Sequence, residues 1–322
     1  MTFPMGDHLI DEADWRLIAA LQCDGRITAE RTAEVLGLPT RVVTRRWAAL
    51  LADGGVRVVA SPPLPSPDGT MLLRIRVLHG RIDAVARALA ARTDIPLVDV
   101  SAGGDQVIAV LRAEPDHRDR LVFRQLPATS AVTSVEAETV IHVFSVAGDW
   151  RLDVLTPDER DRLTPDRPDP GAEDGTHEAD GIDHAIAAAL AADARMSASA
   201  VARATGHPES TVRRRLTALF DQGRLHTQVL VDPRRLGLGV DANLRMRVPP
   251  GRLDLTGRQL AAHPAVHGAL ATTGPGNLNI AVWLRDLDHL YHFLTHDLAA
   301  LDVDQVDTVV IGQALKRPDP AW

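Results

Sequence analysis

Arg41, Thr44 and Arg45 form a short basic cluster, and 169 residues further on Ser210, Arg213 and Arg214 form another. Side chains three or four residues apart share one face of a helix. Such a face donates hydrogen bonds to phosphate oxygens and to the acceptor edge of guanine. Thr40 and Arg46 flank the first cluster, and Thr211 and Arg215 the second. Two glycine-bearing segments, Gly103-Gly104-Asp105 and Thr273-Gly274-Pro275-Gly276-Asn277, could bring a small ligand close to backbone amides; read alone, they are plain turns. His289, His292 and His296 share one side of a helical stretch, and an i, i+4 histidine pair can take a divalent metal. No nearby carboxylate or cysteine at suitable spacing completes a chelate, so a solvated face is the expectation and no metal or cofactor is predicted. Cys23 is the only cysteine, which excludes an intrachain disulfide and a thiolate metal site. No Ser-His-Asp order, phosphate-binding glycine loop or paired-carboxylate motif is present.

The elements that carry the two basic clusters recur. Residues 11–58 align without a gap on residues 180–227, with about a third of positions identical. Asp11, Asp14, Asp24, Arg26, Gly37, Pro39, Val43, Arg45, Arg46 and Leu50 return as Asp180, Asp183, Asp193, Arg195, Gly206, Pro208, Val212, Arg214, Arg215 and Leu219. Each copy predicts three short helices. In the first, residues 14–22 carry Leu17, Ile18 and Leu21 inward; Thr28 caps a second helix that Gly37 stops, and Pro39 opens a third. In the second, Ser197, Gly206 and Pro208 do the same work. Val43, Trp47 and Leu50, and Val212, Leu216 and Leu219, face inward on the third helices. At about 100° per residue, Arg41 and Arg45 then point away from the core with Thr44 on the flank; in the second copy Ser210 and Arg214 point away with Arg213 on the flank. Arg46 and Arg215 fall at the core boundary, where they would be structural or hold phosphate. Two helices joined by a glycine turn, the latter apolar on one side and basic on the other, make a helix-turn-helix pattern. A short extended piece follows each third helix, from Gly54 and from Gly223.

The formal net charge of −8 argues against a chain that coats nucleic acid nonspecifically, but leaves local basic faces open. No apolar run is long enough to span a bilayer, and residues 1–11 lack a secretory pattern, so a cytoplasmic location is expected.

After each helical unit comes the order strand, helix, strand, strand, helix, strand: residues 70–77, 82–91, 97–100, 107–111, 116–126 and 132–143, then 243–248, 255–262, 266–272, 280–284, 287–298 and 306–313. That order predicts a ferredoxin-like four-stranded antiparallel sheet with both helices on one face. The other face is expected to be apolar and to pack back to back on a second sheet, within the chain or between chains. Residues 149–179 form an acidic, proline-rich linker in which Thr156-Pro157-Asp158-Glu159 predicts a capped helix over 158–163; residues 164–181 are expected to be mobile.

A helix-turn-helix followed by this sheet domain resembles the leucine-responsive/AsnC (feast/famine) family of regulators, over nearly the whole chain and twice. Leu9-Ile10-Asp11-Glu12-Ala13-Asp14, Asp24-Gly25-Arg26-Ile27 and Gly37-Leu38-Pro39 look like its N-terminal signature, and Asp232-Pro233-Arg234-Arg235-Leu236-Gly237 like its hinge. The first half has Ser61-Pro62-Pro63-Leu64-Pro65 at the hinge, and the second has Gly276-Asn277 where an acidic residue is usual.

The resemblance implies an α+β fold of two winged/helix-turn-helix units, each followed by a ferredoxin-like domain. The segments are 1–60, 61–148, 149–179, 180–236 and 237–322. It implies a non-enzymatic transcription regulator that binds double-stranded DNA through Thr40, Arg41, Thr44, Arg45, Arg46, Ser210, Thr211, Arg213, Arg214 and Arg215. A small effector such as an amino acid would bind near Gly103, Gly104 and Asp105 or Thr273, Gly274, Gly276 and Asn277. Self-association would run through the sheet domains, as a pseudo-dimer within the chain or as a homodimer, and no membrane partner is expected. Siroheme decarboxylases resemble the same architecture and give the enzymatic alternative. Their arginine- and histidine-bearing run after the helical unit is found in neither half.

Overall fold

The computed structural model describes residues 10–52, 55–63, 67–112, 114–165, 179–301 and 303–317. Leu9, Gly54, Leu64 and Pro65, residues 1–9 read for a secretory pattern, and positions 166–178 of the linker lie outside the described residues.

The first half begins with helices α1 (Glu12–Cys23), α2 (Ala29–Leu36) and α3 (Thr40–Ala52) and strand β1 (Val56–Ser61). Then come β2 (Thr70–Val77), α4 (Ile82–Ala90), β3 (Leu97–Ser101), β4 (Gln106–Arg112), α5 (Pro115–Arg120), α6 (Leu126–Ala128) and β5 (Val132–Ser145). Helix α7 (Pro157–Leu163) precedes the second half: α8 (Gly181–Leu190), α9 (Ala198–Thr205), α10 (Glu209–Asp221) and β6 (His226–Val231). It ends with β7 (Val240–Arg247), α11 (Leu253–Ala261), β8 (Val266–Thr272), β9 (Leu278–Leu284), α12 (Leu287–His292) and β10 (Gln305–Lys316). The caps act where the sequence places them. Thr28 accepts from the Arg31 N–H and Ser197 from the Ala200 N–H, while Gly37 and Gly206 end their helices at φ of 67° and 72°. Thr156 and Glu159 close the predicted capping box on α7.

The chain divides into two compact units. One gathers residues 67–150 and 237–317, the other residues 10–63 and 151–236. Like modules are thus grouped with like, across the sequence.

In the sheet unit, eight antiparallel strands close into a barrel in the order β10-β3-β4-β2-β5-β8-β9-β7. The two long strands make the closure. β5 pairs with β2 over Val132–Thr139 and with β8 from Val140 onward. β10 pairs with β7 over Gln305–Val310 and with β3 from Ile311 onward. The expected back-to-back stacking of two separate sheets is therefore corrected: the strands join edge to edge within the chain, and backbone hydrogen bonds run around the barrel. On the helix side, Leu73, Ile75 and Val77 of β2 pack with α4, and Leu244, Met246 and Val248 with α11 and α12. The other face is not the apolar surface expected. Leu72, Ile108 and Ile311 form a small apolar cluster there, but Arg74, Glu138, Asp99 and Asn279 are buried as well. Strands β2 and β7 alternate, so every inward apolar residue puts its neighbour on the opposite face, and in this chain those neighbours include charges.

Both second sheet helices contain a π turn, Leu121–Gln125 after α5 and Phe293–Asp297 after α12. The sequence predicts a plain helix there, because periodicity does not register one inserted residue.

Candidate nucleic-acid interface and effector loops

The helical unit is held by its apolar residues first. Leu17, Ile18, Leu21, Ile186 and Leu190 are fully buried, as are Val43 and Val212 on the third helices; each such side chain contributes about 1.5–3 kcal/mol. With Val43, Trp47 and Leu50 inward on α3 and Val212, Leu216 and Leu219 inward on α10, the outward positions follow from helix geometry. Thr40, Arg41, Thr44 and Arg45 are exposed, and so are Ser210, Arg213 and Arg214; Thr211 is half-buried. Among the described residues, Arg41, Arg45 and Arg214 have no ion-pair partner. Arg213 is held by Glu209 at 2.5 Å, one helical turn earlier.

Arg46 and Arg215 are placed differently. The Arg46 guanidinium reaches back to α1, 2.8 Å from Asp14 and 2.9 Å from Asp11. Arg215 repeats this, 2.6 Å from Asp180 and 3.3 Å from Asp183. Hydrogen bonds to Asp14 and Asp11 raise the pKa of Arg46 above its ordinary value. These two arginines fix the third helix against the first.

A set of residues that recurs in the sequence without an assigned role joins the two copies. β1 and β6 pair antiparallel, Val56 opposite Val231 through Ser61 opposite His226. The piece after each third helix is thus one strand of a shared ladder and not a hairpin wing. Arg26 donates to the Ala194 carbonyl and, at 3.2 Å, to that of Met196. Its counterpart Arg195 donates to the carbonyls of Gly25 at 2.6 Å and Ile27 at 3.1 Å. Each guanidinium also stacks on an aromatic ring, Arg26 on Phe220 at 5.6 Å and Arg195 on Trp47 at 4.8 Å. The exchange is reciprocal, so the two basic faces are tied together inside one unit. The available signal was the recurrence of a loop arginine in both copies.

The two glycine turns of the sheet unit differ in what they leave available. In the first, Gly104 takes φ of 67°. The Asp105 carboxylate accepts from the Ser101 hydroxyl at 3.0 Å, faces Arg76 at 3.5 Å and remains about half exposed. In the second, Asn277 is bonded to the Val248 backbone through both of its amide atoms. Its Oδ1 accepts from the Val248 N–H at 2.9 Å and its Nδ2 donates to the Val248 carbonyl at 2.8 Å. Gly274 takes φ of 104°, and a Cβ there would lie 3.1 Å from Glu138. A Cβ on Gly276 would lie 2.4 Å from Arg245.

Glu138 belongs to a buried charged network that sequence reading missed. It accepts from Arg245 at 3.2 Å, and from Thr272 and Asn279 at 3.4 Å each. Arg74, 3% exposed, donates to Asn279 at 3.0 Å. Burial, helped by the neighbouring Arg245 cation, lowers the pKa of the Arg74 guanidinium. Of the histidine row, His292 and His296 stack at 4.3 Å, and Asp297 lies 3.8 Å from His292 and 3.7 Å from His263. Among the described residues no group of three His, Cys, Asp or Glu side chains is placed to hold a metal ion, and no helix is long and apolar enough to cross a membrane.

Comparison with known proteins agrees with this geometry. The AsnC-type helix-turn-helix domain matches residues 10–51 and again 180–219, and the Lrp/AsnC ligand binding domain matches 241–320. An uncharacterized HTH-type transcriptional regulator of Pyrococcus horikoshii is 30% identical over 141 residues, which are 43% of this chain and 89% of that protein. One from Pyrococcus abyssi is 32% identical over 139 residues, 42% of this chain and 88% of its own length. A single relative thus matches almost end to end within less than half of this sequence. Among solved structures, the siroheme decarboxylase NirDL in co-complex with an iron-uroporphyrin III analogue superposes with a TM-score of 0.58, covering 96% of this chain and 93% of its own. At 15% identity that likeness is one of fold. With two AsnC-type helix-turn-helix units and an Lrp/AsnC ligand binding domain in one polypeptide, this chain belongs to the Lrp/AsnC family of transcription regulators.

Proposed function

We propose that this chain binds double-stranded DNA as a transcription regulator, with α3 and α10 entering major grooves of two unequal half-sites. The two halves act as a pseudo-dimer built into one polypeptide. The observation that carries the reading is the pairing of two exposed arginine faces by the Arg26/Arg195 exchange and the β1–β6 ladder. Arg41, Arg45, Arg213 and Arg214 are the leading contacts, with Thr40, Thr44, Ser210 and Thr211 beside them; Arg46 and Arg215 position the helices. Half-sites spaced about one helical turn, or a multiple, suit two such heads. Sequencing DNA fragments that copurify with the protein identifies the operator. The double variant Arg45→Ala, Arg214→Ala should then bind it at least tenfold more weakly, since each lost base-edge contact costs about 1–3 kcal/mol. An unchanged affinity and salt slope would remove the groove assignment.

A small effector such as an amino acid is the second part of the reading, and the first half is its better seat. Asp105 keeps a half-exposed carboxylate beside Gly103 and Gly104, whereas Asn277 is held to the Val248 backbone by both amide atoms. A thermal-shift screen of amino acids should give a hit that Asp105→Asn abolishes. The whole-chain fold likeness to NirDL favours one alternative, catalysis on a tetrapyrrole. Visible absorbance of the protein incubated with siroheme, followed by product formation, decides for it.

A further inference from the structure

The two heads differ most at the first turn of the third helix. The gapless alignment puts Glu209 where the first copy has Thr40, and Arg213 where it has Thr44. Glu209 and Arg213 are both exposed, 47% and 71% at the side chain, and are joined by the 2.5 Å pair. Together with Ser210, Arg214 and Thr217 they share the outward face of α10. The corresponding face of α3 carries Thr40, Arg41, Thr44 and Arg45 and no acid.

An acid in that position has few partners. Phosphate oxygens repel a carboxylate, so Glu209 weakens any backbone-only contact. Being acceptor-only, it is complementary to a base edge that donates and does not accept. In the major groove guanine shows two acceptors, thymine one acceptor and a methyl group, and adenine an acceptor beside its donor; cytosine offers its N4 amino group without an acceptor. The first residues of a recognition helix are those that reach base edges. The i, i+4 pair also holds the Arg213 guanidinium against Glu209, leaving its remaining donors for the guanine of the same or the adjacent base pair.

We propose that Glu209 is a specificity-determining residue, which with Arg213 reads a cytosine-containing step in one half-site only and so fixes the direction in which the chain lies on its operator. This rests on the DNA-binding reading above. The test is selection of bound sequences from a random duplex pool by the full-length chain, its E209Q variant, and the double variant T40E/T44R. The wild type should select two unequal half-sites with cytosine favoured at one position of one of them. E209Q should lose that preference by roughly 5- to 150-fold and turn it towards adenine, which a glutamine reads bidentately, with the other half-site unchanged. T40E/T44R should install the cytosine preference in the other half-site. A wild-type palindrome overturns the proposal. So does E209Q binding every sequence more tightly with no change of preference, which would put Glu209 against the backbone. A wild type that selects no sequence at all overturns the DNA-binding reading itself, and is distinct from either result.

Discussion

At the scale of single residues, the acids of the first helices have a consequence for pH. A hydrogen bond from Arg46, then the Asp14 backbone N–H, holds the Asp11 carboxyl below its ordinary value. Asp180 is lowered by the Asp183 backbone N–H and the Arg215 charge. A carboxyl depressed in the folded state adds stability that is complete above its unfolded value, about pH 4. That stability is lost as pH falls through the lower folded-state value. The double variant Asp11→Asn, Asp180→Asn should therefore unfold with less pH dependence below about pH 4 than the wild type, measured by urea midpoints across an acid series. In the sheet unit, Glu138→Ala removes the buried acceptor of Thr272 and Asn279 and one of three carboxylates around Arg245, which keeps Glu136 and Asp307. The expected loss is about 1–3 kcal/mol, read by chemical denaturation. The basic faces of α3 and α10 were legible in the sequence, because helical spacing alone separates Arg41 and Arg45 from Val43. Arg74 was not. An arginine alternating with apolar residues in a strand reads as half-solvated until another strand covers it.

At the scale of elements, helix ends were the most legible feature, since caps act over three or four residues. Gly37 and Gly206 have left-handed backbone and no atom within 4 Å of a built Cβ. Alanine at either position should cost about 1–2 kcal/mol from backbone strain alone, seen as a lowered melting temperature. The Arg26/Arg195 exchange leads to a different outcome. Replacing both by alanine removes this exchange and leaves the β1–β6 ladder as the remaining tie between the copies, with the outward faces of α3 and α10 unaltered in sequence. Affinity for a two-half-site duplex should then fall further than affinity for a single half-site, compared by titration on the two probes. Recurrence made Arg26 and Arg195 visible as a pair; their partners are carbonyls 168 to 170 residues away in sequence. No local pattern could name them. The π turns escaped for a similar reason, since one extra residue in a turn leaves the apolar periodicity almost unchanged.

At the scale of the whole molecule, the grouping of like modules makes each half incomplete. A fragment ending near residue 165 would keep β2, β3, β4 and β5 but strip β3 of β10, and the end of β5 of β8. Sedimentation of that fragment should show self-pairing or aggregation and not a stable monomer, because exposed strand edges recruit new partners. The sequence by itself determined the duplicated helix-turn-helix frame, the order of strands and helices, and the residues on each outward face, because caps, turns and periodicity are local properties of the chain. Only the tertiary structure decided that the two sheets close edge to edge into one barrel with charges inside. It also decided that the strand after each reading head belongs to a ladder shared by both copies. Those pairings join residues far apart in sequence, and a strand's alternation specifies its faces but not the strand it meets.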